Sequence, residues 1–408
     1  MKVLVLLPRY PYPILKGDKL RAFYQIQALS RTDEVHLLSV SEDPDVQQYF
    51  PELAPYVASQ ECISLSPARK YWNLAKGLFG GRPFQVEYFR HPRVMQRAAE
   101  LMEQLQPDVV YVQLVRMTGN VPPGKNPSTA RVLDYMDAMS AGMQKRIRLS
   151  GWWAKPFVKM EASRLQAYEP SIAKAYHQYT IISASDREDF PAGVQQDMHI
   201  VPNGIPPKFL QTHPPKPAIA DLIFTGNMSY HPNVKAAEYL ANKVLPLLKA
   251  DFPDIKLYLV GTNPVPAVNA LASDNVTVTG FVDDLISYLL GARLFVAPLF
   301  SGSGLQNKLL EAMALGLACI TSPQANKALG APTPDAIHVA STPEEFAASI
   351  RQLLDNEQQR AAVGKCGRNY VEAHFNWAAA NEKLREVFQL ARKKAAGETV
   401  LEPGERLK

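Results

Sequence analysis

The chain has little sulfur, little net charge and no long apolar run, and each scarcity removes a class of protein. Only 3 cysteines occur in 408 residues, Cys62, Cys319 and Cys366, odd in number and far apart. They supply neither a disulfide framework nor a metal knuckle, and a reducing cytoplasm is the expected home. Lysine and arginine total 44 against 39 aspartates and glutamates, a formal charge of +5. That excess is too mild for a nucleic-acid binder but suits anionic ligands. No apolar stretch approaches the roughly 18 residues of a membrane-spanning helix. The opening run Met1-Lys-Val-Leu-Val-Leu-Leu-Pro8 is too short for a signal-peptide core and reads as a first strand. Short repeats and low-complexity tracts are also absent.

What is present is a hydrophobic share of 47%, enough to fill large cores, in a chain long enough for two domains. Short apolar runs at 3–7, 35–40, 109–114, 131–136 and 179–183 alternate with helix-length stretches. The second half repeats the pattern at 222–225, 256–260, 276–279, 294–299, 318–321 and 337–340. Near-continuous apolar strands joined by helical crossovers predict parallel sheets covered on both faces. The fold class expected is α/β, with two Rossmann-like doubly wound domains facing a central cleft. The proline-rich stretch Val201-Pro-Asn-Gly-Ile-Pro-Pro207 and the following Thr212-His-Pro-Pro-Lys-Pro217 forbid regular structure and place the boundary. Domains are therefore expected at 1–203 and 204–374, with an amphipathic helix at 375–396 packing back across the junction and a flexible tail at 397–408.

The most informative segment runs from Ala297 to Gly316, where a glycine-bearing loop after a strand opens onto a helix carrying Lys308 and Glu311. Ser301 to Gly304 let the backbone approach a ligand, the free N–H groups and dipole of the helix favour an anion, and Ser303, Gly304 and Leu305 are expected donor-binding residues. Lys308 and Glu311, three apart, share one face, so an ammonium is placed for phosphate and a carboxylate for a ribose diol. The same spacing also describes an ordinary surface pair. The loop after the first strand leads through Gly17 into a helix with Lys16, Lys19 and Arg21 near its start, an unfavourable place for cations unless an anion binds there. In the second half, Gly226 and Asn227 follow a strand, and His231 either contacts phosphate or caps the turn before Pro232. Phe281 and Val282, after Gly280, are placed to edge a nucleobase.

Asp134, Asp137 and Ser140 end a first-half strand, and Asp137 either orients a sugar or acceptor hydroxyl or caps the next helix. The stretches Lys70–Phe79 and Arg146–Phe157 interleave aromatic and basic residues. They suit a membrane interface or a lipid-linked acceptor, or else their tryptophans pack in the core.

The residues resemble the retaining glycosyltransferases of the two-Rossmann-domain (GT-B) type, family 4, over nearly the whole chain. The resemblance rests on Val201-Pro-Asn-Gly204, Phe224-Thr-Gly226, Thr279-Gly280-Phe281 and Gly304 through Lys308 to Leu310-Glu-Ala-Met-Ala-Leu-Gly316. More narrowly, Leu305-Gln-Asn-Lys-Leu-Leu-Glu-Ala-Met-Ala, Lys16-Gly-Asp-Lys-Leu-Arg21, Met228-Ser-Tyr-His-Pro-Asn233 and Glu161-Ala-Ser-Arg-Leu-Gln-Ala-Tyr-Glu169 are similar to sugar transferases associated with PEP-CTERM/exosortase exopolysaccharide loci. This implies a nucleotide-sugar donor as substrate and a saccharide or lipid-linked acceptor. With backbone amides, a helix N-terminus and Lys308 to stabilise the leaving diphosphate, no metal and no further cofactor are expected. Together with the cysteine usage and the aromatic–basic stretches, the expected location is the cytoplasm, with peripheral contact at the inner face of the membrane as an alternative to a freely dissolved enzyme. Glu311 would hold the donor ribose, Lys308 its diphosphate, and Ser303 with Gly304 the phosphate-side loop, with Gly17 against the diphosphate from the other lobe. Two departures stand out: Ser301 occupies the place of the first glutamate of the paired-glutamate motif, and Asn227 and Pro232 stand roughly where an Arg and a Lys are usual. Two other functions remain open, an epimerase on the same fold, which needs no acceptor, and a non-catalytic nucleotide-sugar binder.

Overall fold

A computed structural model describes residues 1–14, 16–122, 129–301 and 305–398. The chain divides into two compact units, Met1–Asn203 joined by the segment from Trp377 on, and Gly204–Asn376. The boundary falls in the proline-rich stretch, where missing N–H groups and fixed φ angles prevent a strand from continuing.

The first unit is built on β1 (Lys2–Leu7), β2 (Glu34–Ser41), β3 (Ser59–Ser64), β4 (Val109–Gln113), β5 (Ala130–Met136), β6 (Gln178–Ile181) and β7 (Met198–Ile200). They form one sheet in the order β3-β2-β1-β4-β5-β6-β7, with parallel pairing such as Val3 opposite Val35 and Val109. Successive side chains of β1 point to opposite faces, so Val3, Val5 and Leu7 enter one buried cluster and Leu4 and Leu6 the other. Both faces are covered, which is why these strands read as continuous apolar runs. One cover is the helix Gly17–Leu29, and beside it lies the C-terminal helix Trp377–Ala395. There Trp377 stacks on Tyr24 at 5.2 Å and Phe388 meets Tyr111 at 5.3 Å. Of the tail expected at 397–408, residues from 399 on lie outside those described.

The second unit repeats the plan with β8 (Ala220–Thr225), β9 (Leu257–Val260), β10 (Val276–Gly280), β11 (Ala292–Ala297), β12 (Ala318–Thr321) and β13 (His338–Val339). Their order is β10-β9-β8-β11-β12-β13, again with parallel pairing. In each sheet the winding reverses once, between β1 and β4 in the first and between β8 and β11 in the second. Loops leaving the carboxyl ends of such a strand pair diverge to opposite faces and open a crevice for a ligand.

Candidate functional site

In the second unit Gly226, Asn227, Lys308 and Glu311, all expected, lie on the loops and helix that leave that strand pair, whereas Phe281 and Val282 follow the edge strand β10. The helix Asn307–Ala314 follows β11 and turns Leu309, Leu310, Ala312, Met313 and Ala314 into the core, leaving Lys308 and Glu311 on the other stripe. Its N-cap, Gln306, is extended and provides no side-chain capping bond to the first N–H groups. Gly316, at φ +80°, ends the helix in the left-handed conformation that only glycine adopts at little cost.

The Lys308 ammonium donates to Asn233 Oδ1, and Asn233 Nδ2 donates in turn to the Asn227 carbonyl at 2.9 Å. It also lies 5.3 Å from the centre of the Phe224 ring. Gly226 makes this approach possible, because a Cβ there would stand 2.6 Å from Asn233 Nδ2 and 3.3 Å from Lys308 Nζ. A Cβ on Gly261 would sit 1.7 Å from the Gly226 carbonyl oxygen, so two backbones touch beneath the loop. Burial draws the Lys308 pKa down to about 8 against the pull of Glu311. Burial likewise pushes Glu311 up to about 7, opposed by Lys208 and then Lys308. Both groups are thus poised to change charge near neutrality when an anion or a hydroxyl arrives.

Sequence reasoning missed two residues of this site, Asn233, which appeared only inside a resemblance motif, and Lys208. Lys208 sits in the short turn Pro207–Leu210 beyond the domain boundary, read only as linker, and no local spacing connects it to a helix a hundred residues on. Phe281 is 64% exposed beyond Gly280, whose φ of +71° redirects the chain, whereas Val282 packs partly on the core. Leu305 also turns its side chain to the core. Asn227 folds into a local turn, accepting from Ser229 N at 3.0 Å. His231 is exposed and makes no capping bond in the helix His231–Tyr239. Ser303 and Gly304 lie outside the described residues.

The first unit requires corrections. Arg21, expected at an anion site, is fully buried and bonded to Asp134 through Nε (2.6 Å) and Nη2 (3.2 Å), and to the Val201 carbonyl (2.8 Å) and Asn203 (3.0 Å). The helix turns it inward, where desolvation demands a partner, so its hydrogen bonds join strand ends inside the unit. Asp134, read as a cleft carboxylate, is the other half of that pair and also accepts from Tyr111 and Thr180. Lys19 donates to the Tyr12 carbonyl at 3.2 Å, and burial lowers its pKa. Gly17 is exposed at the first turn of its helix.

Asp137 does not cap the helix Met139–Leu149, whose N-cap is Ala138 with no side-chain bond. Glu169 takes that place, accepting from Ser140 N at 3.2 Å. Burial and then Asp186 push the Asp137 carboxyl up to about 6, against the opposing charge of Arg116. Asp43 and Asp45, which have the Asp-x-Asp spacing found in metal-binding sugar transferases, sit in a local turn in which Asp43 accepts from Asp45 N at 2.9 Å.

Two doubly wound parallel sheets, each with its reversal point, define the GT-B fold class. Over the whole length it is shared with a sucrose-phosphate synthase from Thermosynechococcus elongatus, at 15% identity and TM-score 0.69, covering 98% of this chain and 100% of that one. Anabaena Alr3699/HepE in complex with UDP is also similar, at 13% identity and TM-score 0.63, covering 95% and 100%. Residues 220–356 match the family described as Glycosyl transferases group 1, a span that holds Gly226, Asn227, Asn233, Lys308 and Glu311. A GDP-mannose-dependent monoacylated alpha-(1-6)-phosphatidylinositol monomannoside mannosyltransferase of Corynebacterium glutamicum is 31% identical over 161 residues, 36% of this chain and 42% of that protein. The chain thus matches less than half the length of that relative. No helix among the described residues is long and apolar enough to cross a membrane.

Proposed function

We propose that this chain is a glycosyltransferase that moves a sugar from a nucleoside-diphosphate donor to an acceptor hydroxyl. The observation that carries the reading is the Lys308–Asn233–Asn227 chain beside Glu311 at the reversal point of the second sheet. As the bond from the anomeric carbon to the diphosphate breaks, negative charge grows on the leaving oxygens. Lys308 and the N-terminus of its helix stabilise that charge without reorganising. Ionised Glu311 accepts from the ribose hydroxyls, with Lys208 favouring its charged form. Asp137 is assigned to the acceptor hydroxyl, its raised pKa suiting proton transfer near neutral pH.

Retention of the anomeric configuration, independence from metal and a role in exopolysaccharide assembly are further parts of the proposal, supported by the family resemblance. Incubation with a panel of UDP- and GDP-sugars and mixed lipid-linked or saccharide acceptors tests it. We expect acceptor-dependent, chelator-resistant transfer, whereas an epimer formed from donor alone, or no turnover of any donor, contradicts it.

The acceptor is proposed to be met at a membrane surface. The helix Pro67–Phe79 packs Asn73 and Gly77 inward and presents Tyr71, Trp72 and Leu78 outward, the reverse of a helix covering a core. Trp152 and Trp153, 85% and 75% exposed, and Phe157 extend this apolar display among lysines and arginines. Aromatic rings and cations together fit an anionic bilayer interface. Co-sedimentation with vesicles containing phosphatidylglycerol is expected for the parent chain and reduced several-fold in the Trp152→Ser/Trp153→Ser variant. Equal sedimentation would refute the contact.

A further inference from the structure

The first sheet has its own reversal point, between β1 and β4, and the function proposed above leaves the groups around it without a role. Arg9 leaves the end of β1, and Arg116 follows β4. They line a recess of about 260 Å³ with Glu42, Gln85, Tyr88 and Phe89. Both guanidinium groups lie over the Phe89 ring, 5.8 and 6.0 Å from its centre.

The cations of this recess are not equally paired. Arg9 is paired with Asp18 at 2.5 Å. Glu42 accepts from Lys70 at 3.1 Å and from the Tyr88 hydroxyl, so its charge is matched inside the cluster. Arg116 has only a neutral partner, donating from Nε to Gln85 Oε1 at 2.9 Å. Among the described residues no carboxylate lies within ion-pair distance of it, and its Nη1 and Nη2 groups have no protein acceptor. Burial lowers its pKa, and the nearby charge of Arg9 lowers it further, against the weaker pull of Asp18, Asp137 and Glu42, none of which forms an ion pair with it. A forked, partly buried guanidinium with free N–H groups is suited to an oxyanion bound by two parallel hydrogen bonds. Phe89 and Tyr88 offer ring surface beside it, of the kind that packs on the C–H face of a sugar.

We propose that the Arg9–Arg116 recess binds the oxyanion of an anionic sugar acceptor, a phosphate or a carboxylate attached to the saccharide. The assignment rests on the glycosyltransferase reading and specifies the substrate class of its acceptor side. Asp137, within electrostatic reach of Arg116, then faces the hydroxyl end of the same acceptor. Phe84, also in the recess wall, stacks on exposed Phe157 at 5.6 Å, so an acceptor seated there adjoins the aromatic surface described above.

Calorimetric titration of the full chain with glucose 1-phosphate, glucuronate and neutral glucose tests this. At least one charged sugar is expected to bind tenfold or more tightly than glucose, and the tighter of the two identifies phosphate or carboxylate as the group recognised. Arg116→Gln and, separately, Arg9→Gln should lose that preference by roughly tenfold. Lys308→Ala should keep it, which separates this site from the phosphate site of the second unit. Melting temperatures near the parent's establish that each variant is folded. A preference absent from the parent, unchanged in both arginine variants, or lost in Lys308→Ala instead, overturns the assignment. UDP or GDP binding that depends on Glu311 alongside any of those results would sink the acceptor assignment and leave the donor reading standing.

Discussion

Lys308 and Arg21 look alike in the sequence, each a cation at the start of a helix after a strand and a glycine, yet their environments are opposite. Arg21 faces inward and meets Asp134, 113 residues away, a partner that no local pattern reveals. Lys308 faces the crevice, bonded to neutral Asn233 and with no ion pair among the described residues. The Lys–Glu pair was therefore legible from spacing, and the fate of Arg21 was not, because burial depends on the side of the helix that the whole sheet selects. The pKa values set a pH dependence. Below about 7 Glu311 is neutral and a poorer acceptor for ribose hydroxyls, and above about 8 Lys308 loses its charge. Affinity for the nucleoside diphosphate should peak between these limits and fall on both sides, as read by calorimetry across pH 5.5–9.5. Glu311→Gln should remove the acidic limb and retain the alkaline one. Lys308→Ala should lower kcat by about 100-fold, the usual loss when one donor to developing charge is deleted. An unchanged kcat would refute its role.

At the scale of elements, the strands buried on both faces were readable because their apolar runs are continuous, whereas β3 and β7 were not expected. Both lie at edges of the first sheet. β3 carries Ser-Gln-Glu-Cys-Ile-Ser, a polar pattern suited to an edge, and β7 is only 3 residues long. The stretch Glu161–Glu169 shows a different limit of sequence reading. Glu161 accepts from the backbone N–H groups of Phe84 (2.7 Å) and Gln85 (3.0 Å), and Glu169 from Ser140. Its two carboxylates thus secure the starts of two helices, a structural role that explains the motif without ligand contact. Glu161→Ala should leave two donors unsatisfied and cost about 1–3 kcal/mol. Hydrogen exchange should accelerate over 84–89 while the sheet strands remain protected, and uniform protection would refute the capping role.

For the whole molecule, one architectural rule is used twice. Each unit is a parallel sheet with a single reversal, and each reversal carries cations on the loops that leave it, Lys308 in one unit and Arg9 with Arg116 in the other. The repeated strand–helix alternation made this doubling legible, and the proline-rich stretch marked where one sheet ends and the next begins. Loop chemistry was less legible, since Arg116 and Lys208 lie in segments without a recognisable spacing. The central claim is that the second unit holds a nucleoside diphosphate through Lys308 and Glu311. Calorimetric titration of UDP and GDP into the parent chain and Glu311→Ala tests it most directly. We predict binding of at least one nucleotide, weakened roughly 10- to 100-fold by the substitution, the loss of about 1.5–3 kcal/mol expected for hydrogen bonds to a charged group. No binding of either nucleotide to the parent, or equal affinity in the folded variant, would contradict the account.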